Sequence, residues 1–265
     1  MKKMIDQKSF RMFFIVFLFS MVPVGLSQAH DTWINMQNYR LNQSDPAVLS
    51  VTNAHSFVIP GKELLPSGQV DTVLFLSPDG KEIPSIPEGN EKYKSNLPLK
   101  TDGSYMAVVK KKVLFSSKTV DGYQRGKNKR DLKDVIECSH SEKYAKALFT
   151  VGVAAGDVYS KVLGHPMEIV PLQDPGKLKA GDLLMVKILI RGNPARNTLY
   201  GTYAGFSTEP NTFAYTTSTD KEGVARIRLL KEGLWLLIAR QDFAYPDPTV
   251  CDKQSYAASL TFQVR

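Results

Sequence analysis

The sequence predicts an all-β protein made of tandem β-sandwich modules, with one short helix near the boundary between them. Short runs rich in β-branched and aromatic residues recur along the chain, turn residues bound them, and a single segment has a helical period. The strand signals become more evenly spaced beyond residues 160–166. We therefore expect an N-terminal β-rich module over residues 30–163 and a C-terminal β-sandwich module over residues 164–265.

In the N-terminal module the strand signals are short and separated by turns. The turns are SPDG at 77–80 and TDGS at 101–104, and the segments 84–98 and 117–134 are polar enough to be loops. These features predict strands over residues 47–52, 72–76 and 105–109.

The predicted helix runs over residues 139–151, SHSEKYAKALFTV. Tyr144, Ala147, Leu148 and Val151 follow the i, i+3, i+4, i+7 spacing that places side chains on one helical face.

After Gly164 the strand signals are evenly spaced. Turn groups such as RGNP at 191–194 and TDKEG at 219–223 separate them, which is typical of a β-sandwich. The predicted strands cover residues 167–172, 182–190, 223–230, 233–240 and 259–264.

Residues 1–29 have the pattern of a cleavable secretory signal. A basic start precedes the apolar run 12–26, and Ser27-Gln28-Ala29 supplies the small residues that signal peptidase requires. The run is short for a membrane span, which needs about 20 apolar residues. We expect a mature chain that begins at His30 in the periplasm of a Gram-negative envelope and is not itself transmembrane.

The net positive charge is too modest to indicate a nucleic-acid partner. The whole chain carries +8, and because residues 1–29 hold four basic residues and one acid, the mature chain carries about +5. Local runs such as KKK at 110–112 are typical of solvated turns. No G-x-S-x-G elbow, H-E-x-x-H motif or phosphate-binding loop occurs, so we expect a protein that is not an enzyme.

Two cysteines, Cys138 and Cys251, lie in the exported part of the chain. An even pair in an oxidising compartment predicts a disulfide. Their separation is far from the spacing of a cysteine metal site.

A chain-long set of motifs resembles the NikM-like periplasmic family, a domain of unknown function associated with nickel or cobalt uptake. The second half carries GHPMEIVPL at 164–172, TDKEGVA at 219–225, GLW at 233–235 and the closing strand 256–264. The first half carries AHDTW at 29–33, HSF at 55–57 with GKE at 61–63, and EKYAKAL at 142–148. By itself, the C-terminal module also resembles transthyretin-like or carboxypeptidase-regulatory-like domains.

The resemblance implies an immunoglobulin-like or transthyretin-like tandem sandwich and a role in metal uptake beside a membrane transporter component. One departure concerns the tryptophan strand. Relatives often follow it with a histidine, whereas this chain has Arg240 in the segment Ala239 to Asp242.

The chemistry of His30 favours metal binding. A terminal histidine offers its α-amine, with an ordinary pKa of about 7.7–8.0, and its imidazole, with one of about 6.5. Both nitrogens of such a residue, with His55 as a further donor, suit nickel, cobalt or copper. Asp31 and Glu63 are candidates for an oxygen ligand or a supporting hydrogen bond.

Two other functions stay open at this point. A metal-independent envelope adaptor for a protein, peptide or glycan fits tandem sandwich modules, and the histidine missing near residue 240 favours it. A copper enzyme that cleaves polysaccharides oxidatively also uses a terminal histidine, but no motif of such enzymes is present.

Overall fold

The computed structural model describes residues 30–59, 61 and 63–265. The predicted signal segment, residues 1–29, lies outside them.

The described residues form no α-helix, only strands and four single-turn 3-10 helices at Ser67–Gln69, Lys129–Asp131, Val158–Ser160 and Pro175–Lys177. The all-β prediction is confirmed. The strands are β1 (Asp31–Met36), β2 (Arg40–Leu41), β3 (Val48–Ala54), β4 (Val70–Leu76), β5 (Glu82–Glu88), β6 (Lys92–Ser95), β7 (Gly103–Lys111), β8 (Leu114–Thr119), β9 (Gly122–Arg125), β10 (Val135–Val151), β11 (Met167–Pro171), β12 (Leu183–Ile190), β13 (Asn193–Pro194), β14 (Thr198–Tyr203), β15 (Tyr215–Ser218), β16 (Val224–Arg228), β17 (Gly233–Ala244) and β18 (Lys253–Val264).

The strands form two sheets. The larger follows the order β1-β3-β6-β5-β4-β7-β10-β18-β17-β14-β15, and the smaller follows β11-β12-β13 with β16 beside β12. β10 and β18 pair in parallel at the centre of the larger sheet, from Ser139 opposite Lys253 to Ala147 opposite Thr261. Strands from both predicted modules thus share one sheet, and the division at residue 164 stays a prediction.

Both faces of the central strands are covered. On one face β1 packs across them, with the hydroxyl of Ser259 donating to the Thr32 carbonyl at 2.7 Å and that of Thr261 to the Ile34 carbonyl at 3.0 Å. On the other face the smaller sheet closes a second apolar core, which includes Leu148 of β10. The result is a β-sandwich.

The predicted helix over residues 139–151 is wrong, because this segment is the central part of β10. Its alternate residues serve different cores: Leu148 packs into one, whereas Ala147 and Phe149 pack into the other. A strand that is buried on both faces has a near-continuous apolar run, and such a run also satisfies helical spacing.

The predicted disulfide is confirmed. Cys138 on β10 bonds to Cys251, just before β18, across a sequence separation of 113 residues. The bond joins the two central strands where their parallel pairing begins.

Candidate functional site

The two N-terminal histidines lie side by side. His30 directly precedes β1 and His55 directly follows β3, and these strands pair antiparallel with Asp31 opposite Ala54. The register therefore brings the two histidines together. Their ring centroids are 4.1 Å apart and the ring planes differ by 26°, which is a stacked arrangement.

Glu63 completes the cluster from the loop that follows His55. Its Oε2 lies 3.6 Å from Nε2 of His30, and its side chain is 60% exposed. The loop is tied back to β3 because the backbone N–H of Asn53 donates to the Glu63 carbonyl at 3.1 Å. Pro60 and Lys62, within this loop, are not among the described residues.

Asp31 is bound by Arg240, a residue 209 positions away in sequence. Nε of Arg240 donates to Oδ1 of Asp31 at 2.7 Å, and Nη2 donates to Oδ2, so the contact is bidentate. The Asp31 side chain is only 4% exposed. The guanidinium also lies over the rings of Tyr200 and Phe213, at 5.4 and 5.8 Å. Both carboxylate oxygens of Asp31 are therefore engaged by Arg240.

Lys143, from the central strand β10, also contacts His30. Nζ of Lys143 on β10 donates to the backbone carbonyl of His30. Burial lowers the pKa of Lys143 to about 8, and the charges of Lys111, Arg240 and Arg125 act in the same direction. The surroundings of His30 thus hold several positive charges.

These surroundings favour the neutral form of the His30 ring. Burial, followed by the charge of His55, lowers the pKa of His30 below its ordinary value of 6.5. Lys143 lowers it further, while Glu63 opposes the change. A neutral imidazole has the free lone pair that a metal ligand needs.

The donor set is incomplete without the chain terminus. Within the described ranges, no group of three His, Cys, Asp or Glu side chains is arranged to hold a metal ion. His55 nevertheless has a buried Nδ1 with no hydrogen-bond partner in the described part of the chain. A free α-amine at His30, produced by cleavage after Ala29, would be the additional donor.

Sequence reasoning missed the cations of this site. In the sequence, Arg240 is distinguished only by its place where relatives often have histidine, and Lys143 lies within the predicted helix. The polar positions of β10 that point to opposite faces become distinguishable only once the segment is known to be a strand.

The other two histidines lie on the opposite face of β10 from Lys143. His140 packs against the rings of Phe115 and Tyr245, with centroid distances of 4.7 and 5.4 Å. His165 stacks on Tyr144 at 4.6 Å. Neither belongs to the cluster around His30.

Among the described residues, no helix is long and apolar enough to cross a membrane.

Comparisons with solved structures return very low scores. The D0-D1 domain of intimin is 12% identical and covers 88% of this chain and 97% of its own, with a TM-score of 0.22. Murine CEACAM1b is 11% identical, covers 89% of this chain and 99% of its own, and has a TM-score of 0.22. The fibronectin(III)-like modules of Clostridium thermocellum CbhA are 11% identical, with coverages of 86% and 93% and a TM-score of 0.19. At such scores the similarity carries no argument about function.

No curated protein matches the chain. The model of one family, described as a domain of unknown function (DUF4198), matches residues 27–242 and so covers most of the sequence. This match does not connect the family to NikM or to nickel or cobalt uptake. The chain belongs to the DUF4198 family.

Proposed function

We propose that this protein is exported, is cleaved after Ala29 and binds a transition-metal ion through His30 and His55 for uptake or hand-off in the periplasm. The observation that carries the proposal is the ring contact at 4.1 Å between two histidines that stand far apart in sequence. Each lies at the end of a strand, and the pairing of those strands fixes their proximity.

The donor chemistry supports this function. The terminal amine and the ring Nδ1 of His30 belong to one residue, so they can chelate an ion together, and His55 supplies a further imidazole. Stacked rings hold their lone pairs in two nearly parallel planes, so both rings can bind one ion only if one of them rotates about its side-chain bonds. Glu63 is close enough to compensate part of the charge of the ion.

The resemblance to NikM-like proteins favours nickel or cobalt as cargo, and a nitrogen-rich, square donor set also suits copper. Few ligands at a chain end allow rapid exchange, which suits capture and delivery to a membrane transporter component. Affinity falls with pH because protons compete for the same nitrogens.

A metal-independent adaptor for a protein, peptide or glycan is the second candidate. The observation that favours it is the positive charge beside the histidine pair, since Lys143 contacts the His30 backbone and Arg240 contacts Asp31. These cations oppose the binding of a bare dication.

Calorimetry on the mature chain separates the two candidates. We expect Ni(II), Co(II) or Cu(II) to bind with micromolar or tighter affinity, and His55→Ala to weaken binding at least tenfold, roughly the smallest loss seen when a group supporting a metal ligand is removed. His140→Ala is the matched control, because His140 lies on the opposite face of β10 and should leave affinity unchanged. Equal weak binding by all three proteins would favour the adaptor.

A further inference from the structure

A solvent-open cavity of about 530 Å³ is lined in part by Arg240, the residue that binds Asp31. Its volume falls within the roughly 300–1,000 Å³ typical of small-molecule sites. Strands β14, β15 and β17 build it, and the lining includes Arg196, Asn197, Thr198, Ser218 and Arg240. The lining is therefore rich in cationic and neutral polar groups, and it includes no carboxylate from the described residues.

Strand pairing fixes these groups on one surface. Thr198 of β14 lies directly opposite Ser218 of β15, so their hydroxyl groups are neighbours. On the other side, Nδ2 of Asn197 donates to the backbone carbonyl of Arg240 at 3.1 Å, which ties the start of β14 to β17. The cavity wall is thus held by regular sheet structure, with Arg196 and Arg240 on adjacent segments.

The hydrogen bonds already made show which groups a ligand would meet. Nε and Nη2 of Arg240 donate to Asp31, so Nη1 of Arg240 takes no part in this ion pair. Nδ2 of Asn197 is shared between the Arg240 carbonyl and Oε1 of Gln241. Oδ1 of Asn197 is buried and has no donor in the part of the chain that the structure describes. The wall therefore offers the guanidinium of Arg196, the remaining Nη1 of Arg240 and one unpaired acceptor, Oδ1 of Asn197.

The cavity lining includes two cationic side chains and no carboxylate from the described residues, which favours an anionic ligand. Arg196 and Arg240 both line the cavity, while Asp31, the carboxylate that balances Arg240, lies outside the lining. Lys143 adds further positive charge behind Asp31, because it contacts the backbone of the preceding residue, His30. Guanidinium groups bind carboxylates through paired, charge-assisted hydrogen bonds.

We propose that this cavity is a binding site for a small organic polycarboxylate of about the size of citrate. Two arginines from neighbouring segments match a ligand with more than one carboxylate, and the hydroxyl groups of Thr198 and Ser218 match its remaining oxygens. The volume is larger than a single inorganic oxyanion requires. Arg240 belongs both to the cavity wall and to the contact with Asp31, the residue that follows His30.

This inference goes beyond the proposed metal function and does not depend on it. It is tested with metal-free mature protein, so a failure of metal binding at His30 leaves the result unaffected. Isothermal calorimetry with citrate at low ionic strength measures the affinity directly, and sulfate serves as the comparison anion. A thermal melt of each variant confirms that it is folded.

Two variants and a matched control complete the design. Arg196→Gln removes an exposed cavity arginine and should weaken citrate binding about five- to tenfold, the loss of one charge-assisted contact. Arg240→Lys keeps the positive charge but loses the planar group that binds Asp31 through Nε and Nη2 while leaving Nη1 for a ligand, so it should weaken binding by a similar factor. Arg226→Gln removes an arginine that lies outside the cavity lining and pairs with Asp220, and it should leave the affinity unchanged.

Citrate binding that weakens in both cavity variants, and only there, supports the proposal. Absence of citrate binding, or equal affinity in all four proteins, overturns it. Sulfate binding as tight as that of citrate overturns the assignment to polycarboxylates.

Discussion

Replacing Lys146 by methionine should destabilise the fold strongly, because Lys146 forms a buried ion pair with Glu168. Nζ and Oε2 are 2.5 Å apart, and the two side chains are only 3% and 1% exposed. Glu168 also accepts backbone N–H groups of Leu163 and Gly164, so its carboxylate organises the segment that leads into β11. The pair joins β10 of the larger sheet to β11 of the smaller one.

The expected cost follows from this burial. Removing one partner of a buried pair costs about 3–5 kcal/mol, because the other charge is left in a medium that solvates it poorly. In a chain of this size each 1 kcal/mol lowers Tm by about 2–4 °C, so Lys146→Met should lower Tm by roughly 10 °C. The double variant with Glu168→Gln should cost less than the sum of the two single changes, since it leaves no unpaired charge.

The same pair sets a pH dependence. Burial raises the pKa of Glu168, but Lys146 and the backbone donors outweigh it, and the net pKa lies below the ordinary 4.5. A lowered folded pKa contributes stability above the unfolded pKa of 4.5, and this contribution is lost as the pH falls through the folded value. The stability difference between the wild type and Lys146→Met should therefore shrink in acid.

Urea denaturation at neutral pH, repeated in acid, measures both effects. Arg226→Gln is the control, because Arg226 and its partner Asp220 have side chains that are 58% and 36% exposed. An exposed pair contributes about 0–1 kcal/mol. If Lys146→Met and Arg226→Gln cost equally little, the account of the buried pair is wrong.

Three further predictions concern the disulfide and the site. Replacing Cys138 and Cys251 together by serine should lower the free energy of unfolding by about 4–5 kcal/mol in the chain-entropy model, because the bond closes a long loop. Urea denaturation measures this loss, and an unchanged denaturation midpoint would refute the prediction. Arg240→Met should cost about 2–3 kcal/mol by the same assay, since it leaves Asp31 buried without its partner, and Arg240→Lys should recover part of that loss. The affinity for Ni(II) should fall at least about tenfold from pH ~7.5 to ~5.5, because the amine and the ring of His30 take up protons. If calorimetry gives the same affinity at both pH values, these two groups are not the ligands.

Local patterns in the sequence were sufficient for the fold class and the disulfide. Alternating β-rich runs between turns predicted an all-β chain, and an even pair of cysteines in a sequence expected to be exported predicted their bond. The helix over residues 139–151 failed because a strand buried on both faces loses the alternation that distinguishes it from a helix. Pairing between β10 and β18 is parallel and joins distant segments, so no local pattern encodes it.

For the site, sequence reasoning supplied the residues but not their neighbours. His30 and His55 were selected from donor chemistry and a family resemblance, and they are in contact. The ion pair between Arg240 and Asp31 spans 209 residues and depends on β1 packing across the central strands of the larger sheet. The charges around His30 can therefore be identified only from the tertiary structure.

The terminal amine is the donor that most directly tests the proposed function. The measurement compares Ni(II) and Cu(II) binding by the mature chain that begins at His30 with binding by the same chain carrying one extra N-terminal glycine. The extension leaves both rings in place but moves the amine off His30. The account predicts tight binding to the native terminus and a loss of at least about tenfold on extension. Equal affinity in the two chains would contradict a site built on the terminal histidine.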